Sequence, residues 1–284
     1  MGSSKDEVQV SYDIANDFFR LWLDERMNYT SAVFENDTQS LEAAQLNKLR
    51  ILAEFAHVTP DSKVLDIGCG WGANVEYLAT TRGVKNVYGV TLSSAQMEEI
   101  NRRKIPGVKA YCCDYKDHVP EVTYDAIESI CMIDHLVSPE EARRGLAVDN
   151  LRKFFRTAHK WTRPGAWFGL QHIVRNRVPR DKKDLEDVYF VTHVVFPGGL
   201  NPRIEEVVQA VNPYWEIIEM HSRRVDYQRT TLEWQRRLRD HETEVRTRWG
   251  DKVFDDYDRY LGTAARCFDK HYSSLAQYSL KRID

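Results

Sequence analysis

The segment SICMIDHL, Ser129 to Leu136, contains residue types that could move a proton. An apolar run ends there in two adjacent polar residues, Asp134 and His135. Burying a carboxylate or an imidazole costs free energy unless the group is solvated, hydrogen-bonded or used in chemistry. A structural interpretation makes Asp134 a carboxylate that starts the next helix, and His135 a buried, hydrogen-bonded histidine. A functional interpretation makes the pair a proton acceptor at the end of a strand.

A second segment, DIGCGWG from Asp66 to Gly72, has the composition of a ligand-binding turn. Gly68 and Gly70 allow a tight turn and a close approach of the backbone to a ligand, and Gly72 lets a helix pack against a strand. The spacing differs from the G-x-G-x-x-G of dinucleotide sites, and no Gly-Lys-Ser or Gly-Lys-Thr follows to cradle a phosphate. Asp66 is suited to an ammonium group rather than to a pyrophosphate.

The elements that would position these segments alternate between strand and helix. Five strands are predicted first, in the segments KVLDIGC, NVYGVTL, VKAYCCD, YDAIESICMI and AWFGLQHIV. WEIIEMHSRRVDY and LAQYSLKRI would add two more, with long helices between them. One helix is predicted from Ser138 to Trp161, with Ser138 as its N-cap and Glu141 in a capping box. The pattern predicts an α/β fold with a mostly parallel sheet and helices on both faces.

The domain organisation follows from where this alternation begins and breaks. Residues 1–58 predict an N-terminal helical lid, and residues 59–174 predict the ligand-binding core. The charged segment 175–212 interrupts the pattern, and a helical cap inserted there would roof a pocket at the carboxyl edge of the sheet. Residues 213–284 predict C-terminal helices and the last strands, which complete the core.

Composition limits the class of protein. The 284 residues have a formal net charge of −3 and are 42% hydrophobic, which fits a large folded core and argues against a general nucleic-acid binder. The five cysteines form no CxxC pair and no zinc-like spacing with histidine, so we expect reduced thiols and no metal. With no signal sequence and no apolar run of about 20 residues, we expect a soluble, cytoplasmic protein without stable membrane insertion.

At the glycine turn, VLDIGCGWG resembles motif I of the class I S-adenosylmethionine-dependent methyltransferases, which implies a Rossmann-like fold with seven strands. Further segments extend the likeness: GVTLSSAQ, the DY after strand three, SICMIDH, YDIANDFF, MNYTSAVF, VVFPGG and LAQYSLK. Together they resemble the cyclopropane fatty acid and mycolic acid cyclopropane synthase family, from about Tyr12 to Lys281. The resemblance implies S-adenosyl-L-methionine as cofactor and S-adenosyl-L-homocysteine as its product.

The resemblance also implies roles for particular residues. Tyr12, Tyr29 and Thr30 would close over the methionine end of the cofactor. The other cofactor contacts would come from strand ends and the turns after them: Asp66, Gly68 and Gly70 near methionine and ribose, Thr91 and Gln96 at the ribose, Asp114 and Tyr115 at the adenine, and Ile130 nearby.

In cyclopropane synthases the family pattern places Cys, Glu, His and Tyr around a bound bicarbonate, which takes the proton. Here Ser31 stands for the cysteine and Asp134 for the glutamate. Gln171 stands for the histidine, and His172 is one residue on, on the other face of its strand. Tyr227 is retained. Because three of the four ligands differ, we expect that bicarbonate is not used and that the Asp-His pair takes the proton, directly or through water and the tyrosine.

These residues predict methyl transfer to an electron-rich carbon, of the indole or prenyl alkene type, on a small apolar metabolite. Lipid cyclopropanation and N-methylation of an alkaloid-like amine are alternatives, and a regulatory module that has lost catalysis is the rival from another class. A prenyl diphosphate would need the basic residues Arg223, Arg224 and Arg229 to face the pocket. The sequence is compatible with a homodimer. The predicted catalytic residues are Asp134, His135 and Tyr227, and the predicted substrate contacts are Ser31, Gln171, His172, His193 and Phe196.

Overall fold

The predicted strands pair into one sheet. The structure is a computed structural model that describes residues 16–195 and 197–284, so Tyr12 and Phe196 lie outside the described residues. The strands are β1 (Lys63–Ile67), β2 (Asn86–Thr91), β3 (Val108–Cys112), β4 (Tyr124–Ile130), β5 (Thr162–Arg175), β6 (Trp215–Ser222) and β7 (Ser273–Arg282). Among the described residues these seven strands follow the order β3-β2-β1-β4-β5-β7-β6. Only β7 runs antiparallel to its neighbours, which confirms the predicted mostly parallel sheet.

Helices cover both faces of the sheet, as predicted. Side chains alternate across a strand, so neighbouring residues of β1 enter different cores: Val64 faces one and Leu65 the other. The described helices are α1 (Asn16–Arg20), α2 (Leu41–Phe55), α3 (Ala73–Thr80), α4 (Ser94–Arg103), α5 (Pro139–Arg143), α6 (Ala147–Trp161), α7 (Lys182–Phe190), α8 (Ile204–Val211), α9 (Arg224–Asp240), α10 (Glu242–Trp249) and α11 (Asp251–Asp269). The core around Val64 includes α2 and α3, and the core around Leu65 includes α6 and α8.

A third, aromatic core joins the N-terminal segment to the C-terminal helices. Trp22 and Trp234 pack edge to face with ring centroids 5.9 Å apart, and Phe18 lies 4.7 Å from Tyr257. All four side chains are almost completely buried. Aromatic pairs in this geometry add to the free energy gained by burial. The described part of the N-terminal segment and the helices α9 and α11 therefore share one core.

Two buried carboxylates of the cap helix α7 form ion pairs with α11 and with the residue that follows it. Asp184 accepts a hydrogen bond from Lys270 at 2.6 Å, and Asp187 accepts hydrogen bonds from Arg259 at 2.8 Å and Arg266 at 2.6 Å. Buried carboxylates are stabilised when several charged donors surround them. A π-helical turn, Val191–Val195, follows α7 directly. None of the helices described here is long and apolar enough to cross a bilayer.

Two boundary predictions are wrong. The single helix predicted from Ser138 is two helices, α5 and α6, because Gly145 between them takes a left-handed φ of 74°; the capping box at Ser138 is confirmed. The strand predicted through WEIIEMHSRRVDY ends at Ser222, and α9 begins at Arg224. Tyr227 is therefore a helical residue, and its burial together with Trp234 follows helical spacing rather than strand alternation.

Candidate functional site

A cavity of about 480 Å³ opens at the carboxyl edge of the parallel strands. Loops that follow β1, β2, β3 and β4 form one side of it, and Met27 to Thr30 of the N-terminal segment close another. The cap helix α7 and the helices α9 and α11 complete the wall. This is the edge at which open α/β sheets bind their ligands, because the strand order reverses beside β1.

The backbone of the glycine turn after β1 forms part of the cavity wall. Gly68 takes a φ of 91°, and a Cβ there would lie only 2.7 Å from the Cβ of Met132, so only glycine fits. Its N–H donates to the carbonyl oxygen of Val90. No described heavy atom lies within 4 Å of the position that a Cβ on Gly70 would take. The backbone at Gly70 is therefore open to close approach by a ligand.

A buried acidic cluster lies under this turn. The side-chain amide of Asn74 donates to Asp66 Oδ2 at 3.1 Å and to Glu128 Oε2 at 2.8 Å. Burial raises the pKa of Asp66 to about 7 and that of Glu128 to about 8, and it lowers the pKa of the Lys48 ammonium to about 8. The second oxygen of Asp66, Oδ1, is buried without a hydrogen-bond partner among the described residues. An ammonium donor would satisfy that oxygen, so the cluster fits the amino group of S-adenosylmethionine.

The described residues predicted to bind the cofactor all line the cavity. Hydrogen bonds order the turns after β2 and β3: Thr91 Oγ1 donates to Gln96 Oε1 at 2.7 Å, and Asp114 caps the short helical turn that begins at Tyr115. The roles assigned to them within the site are proposals. They are Tyr29, Thr30, Asp66, Gly68, Gly70, Thr91, Gln96, Asp114, Tyr115 and Ile130.

The Asp-His pair also lies in the cavity wall, in a turn of 3-10 helix after β4. Both carboxyl oxygens of Asp134 accept from the backbone N–H of Ile173, at 3.1 and 3.3 Å. Burial raises the pKa of Asp134 well above its usual range, since it outweighs these hydrogen bonds. Burial also lowers the pKa of His135 to about 4, so its imidazole is neutral at pH 7. Burial thus disfavours charge on both side chains in the free protein.

A chain of hydrogen bonds ends at Asp134. The Arg223 guanidinium donates to Gln277 Oε1 at 3.0 Å, and the Gln277 amide donates to Gln171 Oε1 at 2.8 Å. The Gln171 amide then donates to Cys131 Sγ at 3.6 Å, and the Cys131 thiol hydrogen-bonds to the carboxyl of Asp134. An arginine can only donate, so it fixes the direction of every later bond and both amide orientations.

The predicted substrate contacts do not line the cavity among the described residues. Ser31 is buried and its hydroxyl donates to the carbonyl of Ala32. Gln171 lies behind Cys131 in the hydrogen-bond chain. His172 projects from the opposite face of β5, as strand alternation requires, and hydrogen-bonds to Tyr278 at 3.1 Å. His193 is exposed and stacks on the ring of Tyr189. Phe196 lies outside the described residues.

Tyr227 lies in the cavity wall, but the three arginines considered for a diphosphate do not. Tyr227 lines the cavity, with its ring stacked 4.5 Å from that of Phe268. Arg223 donates to Gln277, Arg224 to the carbonyl of Phe268 and Arg229 to backbone carbonyls near residue 36. None of these three arginines is part of the cavity wall described here. They therefore do not offer the diphosphate site that a prenyl diphosphate would require.

Several wall residues escaped the sequence analysis. Lys48 comes from the buried face of α2, and Tyr260 comes from α11. Cys131, one residue beyond β4, takes a left-handed φ of 59° that non-glycine residues rarely adopt. Its place directly after a strand was a usable signal. No such signal marks Lys48 or Tyr260, because helical spacing predicts that a residue is buried but not that it lines a cavity.

Comparison with known proteins gives three findings. A model of the family described as mycolic acid cyclopropane synthetase matches residues 2–278. The cyclopropane-fatty-acyl-phospholipid synthase of Escherichia coli strain K12 is 29% identical over 273 residues; the match covers 95% of this chain but 66% of that protein, just under two thirds of its length. The cyclopropane mycolic acid synthase MmaA2 of Mycobacterium tuberculosis is 29% identical over 290 residues, 98% of this chain and 97% of that protein.

Solved structures extend these findings. The structure of MmaA2 from Mycobacterium tuberculosis superposes with a TM-score of 0.90 at 27% identity, covering 99% of both chains. Coclaurine N-methyltransferase, solved with N-methylheliamine and S-adenosylhomocysteine, superposes with a TM-score of 0.80. It is 21% identical, and the match covers 96% of this chain and 80% of that chain, so it supports the fold alone.

We expect affinity for S-adenosylhomocysteine to rise with pH up to about 7. An ammonium group binds the ionised carboxyl of Asp66, whose pKa burial holds at about 7. Below that pH, binding must first remove a proton, so the Kd should rise up to about tenfold for each pH unit lost. Glu128 and Lys48, with pKa values of about 8, titrate above this window. Calorimetric titrations from about pH 5.5 to 7.5 measure the slope.

Asp66→Asn should weaken binding and flatten this pH profile. Asp149→Asn, an exposed change on α6 outside the cavity wall, is the matched control and should keep the slope. A wild-type profile without slope, or an Asp66→Asn profile with the wild-type slope, would contradict the assignment.

Proposed function

Because the chain belongs to the mycolic acid cyclopropane synthetase family, we propose that it transfers the methyl carbon of S-adenosylmethionine to a carbon–carbon double bond of an unsaturated acyl chain and closes a cyclopropane ring. Membership of this family makes the chain an S-adenosylmethionine-dependent enzyme, as the glycine turn predicted. The curated relatives described above are cyclopropane synthases, which favours the lipid reaction over the small metabolite that the sequence suggested.

The observation that carries the proposal is that one cavity holds the glycine turn, the buried carboxyl of Asp134 and apolar side chains. Leu185, Val188 and Val191, from α7 and the turn after it, are part of its wall. An acyl chain has no hydrogen-bonding groups, so such a wall binds it by removing apolar surface from water. Asp134 lies in the same wall, and the double bond can therefore meet the cofactor and the acceptor together.

The cofactor supplies an electrophilic methyl carbon when it is bound. The π electrons of the double bond form the new carbon–carbon bond, which leaves positive charge on the other alkene carbon. A proton then leaves the added carbon, and the electrons of that C–H bond close the ring. The wall aligns the double bond and excludes water, while the rings of Tyr227, Tyr260 and Phe268 face the cavity and stabilise the developing positive charge.

Asp134 is the group proposed to accept the proton. In the free protein burial raises the pKa of the Asp134 carboxyl well above its usual range and so favours the neutral form. A positive charge brought into the cavity lowers the pKa of a nearby carboxyl, so ionisation accompanies cofactor binding. The neutral imidazole of His135 is the next acceptor in the wall. The carboxyl is thus ready as a base only when the electrophile is present.

Two contacts support a reaction without bicarbonate. The Gln171 amide, at the family's histidine position, is already bonded to Cys131 and Gln277. The Ser31 hydroxyl, at the cysteine position, donates to the adjacent backbone carbonyl and is buried outside the cavity wall described here. With these partners, neither side chain is placed to hold a bicarbonate ion beside Asp134.

This altered set also supports a second candidate, the C-methylation of a small apolar metabolite predicted from the sequence. Direct proton removal by Asp134 suits an indole or prenyl carbon as well as an acyl chain. The two candidates differ in the fate of the methyl hydrogens, since ring closure takes one of them and simple methylation takes none.

An isotope experiment separates them. The enzyme is incubated with S-adenosylmethionine carrying three methyl deuterons, with oleoyl phosphatidylglycerol vesicles or with a panel of indoles and prenyl diphosphates. We expect a lipid product that keeps two of the three deuterons and shows cyclopropane resonances by NMR. A product that keeps all three deuterons would favour methylation, and labelling confined to small metabolites would overturn the lipid proposal.

Asp134→Asn should lower turnover by roughly 10²- to 10⁴-fold, the usual contribution of a positioned acid or base. The Kd for S-adenosylhomocysteine should stay within about twofold, because Asp66 and the glycine turn are intact. Asp134→Glu keeps a carboxyl and should retain more activity than Asp134→Asn, and Asp149→Asn serves as the surface control. Wild-type turnover in a folded Asp134→Asn protein would remove the assignment.

A further inference from the structure

An open depression of about 550 Å³ adjoins the main cavity. We call it the arginine depression, and its lining residues are Arg175, Asn176, Arg177, Arg203, Ile204, Glu205 and His271. Arg175 and Arg177 also line the main cavity. The two spaces therefore adjoin each other at the carboxyl end of β5, where these two arginines line both.

Positive charge dominates this lining. Three guanidiniums face one carboxylate, that of Glu205, which lies 3.7 Å from Arg203 at the closest approach. Arg175 lies 3.7 Å from Glu206. Both separations exceed a hydrogen bond, so these carboxylates screen the guanidiniums without binding them directly. Burial is the main cause that lowers the pKa of Arg175; Glu206 opposes the shift and Arg203 adds to it.

Backbone contacts hold two of the arginines in place. Arg175 Nε donates to the carbonyl of Asn201 at 3.2 Å, and Arg177 donates to the carbonyl of Lys270 at 2.8 Å. Each guanidinium has five N–H donors, so donors remain for a ligand after these bonds. An anchored guanidinium loses less conformational entropy on binding an anion than a free side chain does.

We propose that the arginine depression binds the phosphate group of an amphiphilic substrate whose apolar chain lies in the main cavity. The inference rests on the proposed function for the chain, but the phosphate site stands on its own contacts. Arg223, Arg224 and Arg229 are committed to other partners, so this depression is where the described cavity meets clustered guanidiniums. Phospholipids and prenyl diphosphates share the required chemistry, a phosphate ester at the end of an apolar chain.

The test is equilibrium binding by calorimetry with S-adenosylhomocysteine present. The probes are dihexanoyl phosphatidylglycerol, dihexanoylglycerol without phosphate, geranyl diphosphate and inorganic phosphate. Arg203 lines the depression but not the described cavity wall, so Arg203→Gln isolates the phosphate contact. We expect this change to weaken binding of dihexanoyl phosphatidylglycerol about tenfold, as loss of a charge-assisted hydrogen bond does, and to leave dihexanoylglycerol unaffected.

Arg163→Gln is the matched control. Arg163 is an exposed arginine near the start of β5, roughly 40 Å along the strand from Arg175, and we expect it to change neither affinity. Arg177→Gln provides a second variant if Arg203→Gln does not fold. Because Arg177 also lines the main cavity, the expected result is a greater loss of affinity for dihexanoyl phosphatidylglycerol than for dihexanoylglycerol.

Equal affinity of wild type and Arg203→Gln for every phosphate-bearing probe would overturn the phosphate site, as would an equal loss for dihexanoylglycerol. Arg203-dependent binding of geranyl diphosphate but not of dihexanoyl phosphatidylglycerol would support the site and assign it an isoprenoid. It would count against the lipid substrate alone. Binding is measured without turnover, so failure of the cyclopropane proposal leaves this test intact.

Discussion

The hydrogen-bond chain from Arg223 to Asp134 is the constraint on which the rest of the site depends. It crosses β7 at Gln277 and β5 at Gln171, and it reaches the end of β4 through the thiol of Cys131. Burying a carboxyl with no such partners costs free energy, so the side chain would turn toward water. The antiparallel insertion of β7 beside β5 therefore has a chemical consequence, because it places one glutamine directly opposite the other.

Desolvation sets the charge state of the whole cavity. It raises the pKa values of Asp66, Glu128 and Asp134 and lowers those of Lys48 and His135, so the free site holds less charge than its residues suggest. In the proposed mechanism the cationic cofactor brings the charge that ionises Asp134, and apolar cap residues strengthen this effect by excluding water. The proposed base activation and the proposed recognition of an apolar chain then have one physical cause, desolvation.

The parts of the site that follow from strand order could be predicted from the sequence. Asp66 and Thr91 lie at the carboxyl ends of β1 and β2, Asp114 and Asp134 come after β3 and β4, and such ends meet at one edge of a sheet. Contacts from distant segments could not be predicted: Gln277 meets Gln171 across 106 residues of sequence. Tyr227 was assigned to the cavity correctly but to the wrong element, since a basic run gives little periodicity. Family positions did not predict which candidate substrate contacts line the cavity. Gln171, for example, is bonded to Cys131 and Gln277 and is not part of the described wall.

Turnover in buffer stripped of bicarbonate and carbon dioxide is the sharpest test of the proposal that the buried carboxyl of Asp134, rather than a bound anion, takes the proton. We expect the rate to be unchanged when bicarbonate is removed and unchanged again when it is restored. Loss of turnover on removal, with recovery on addition of bicarbonate, would contradict it.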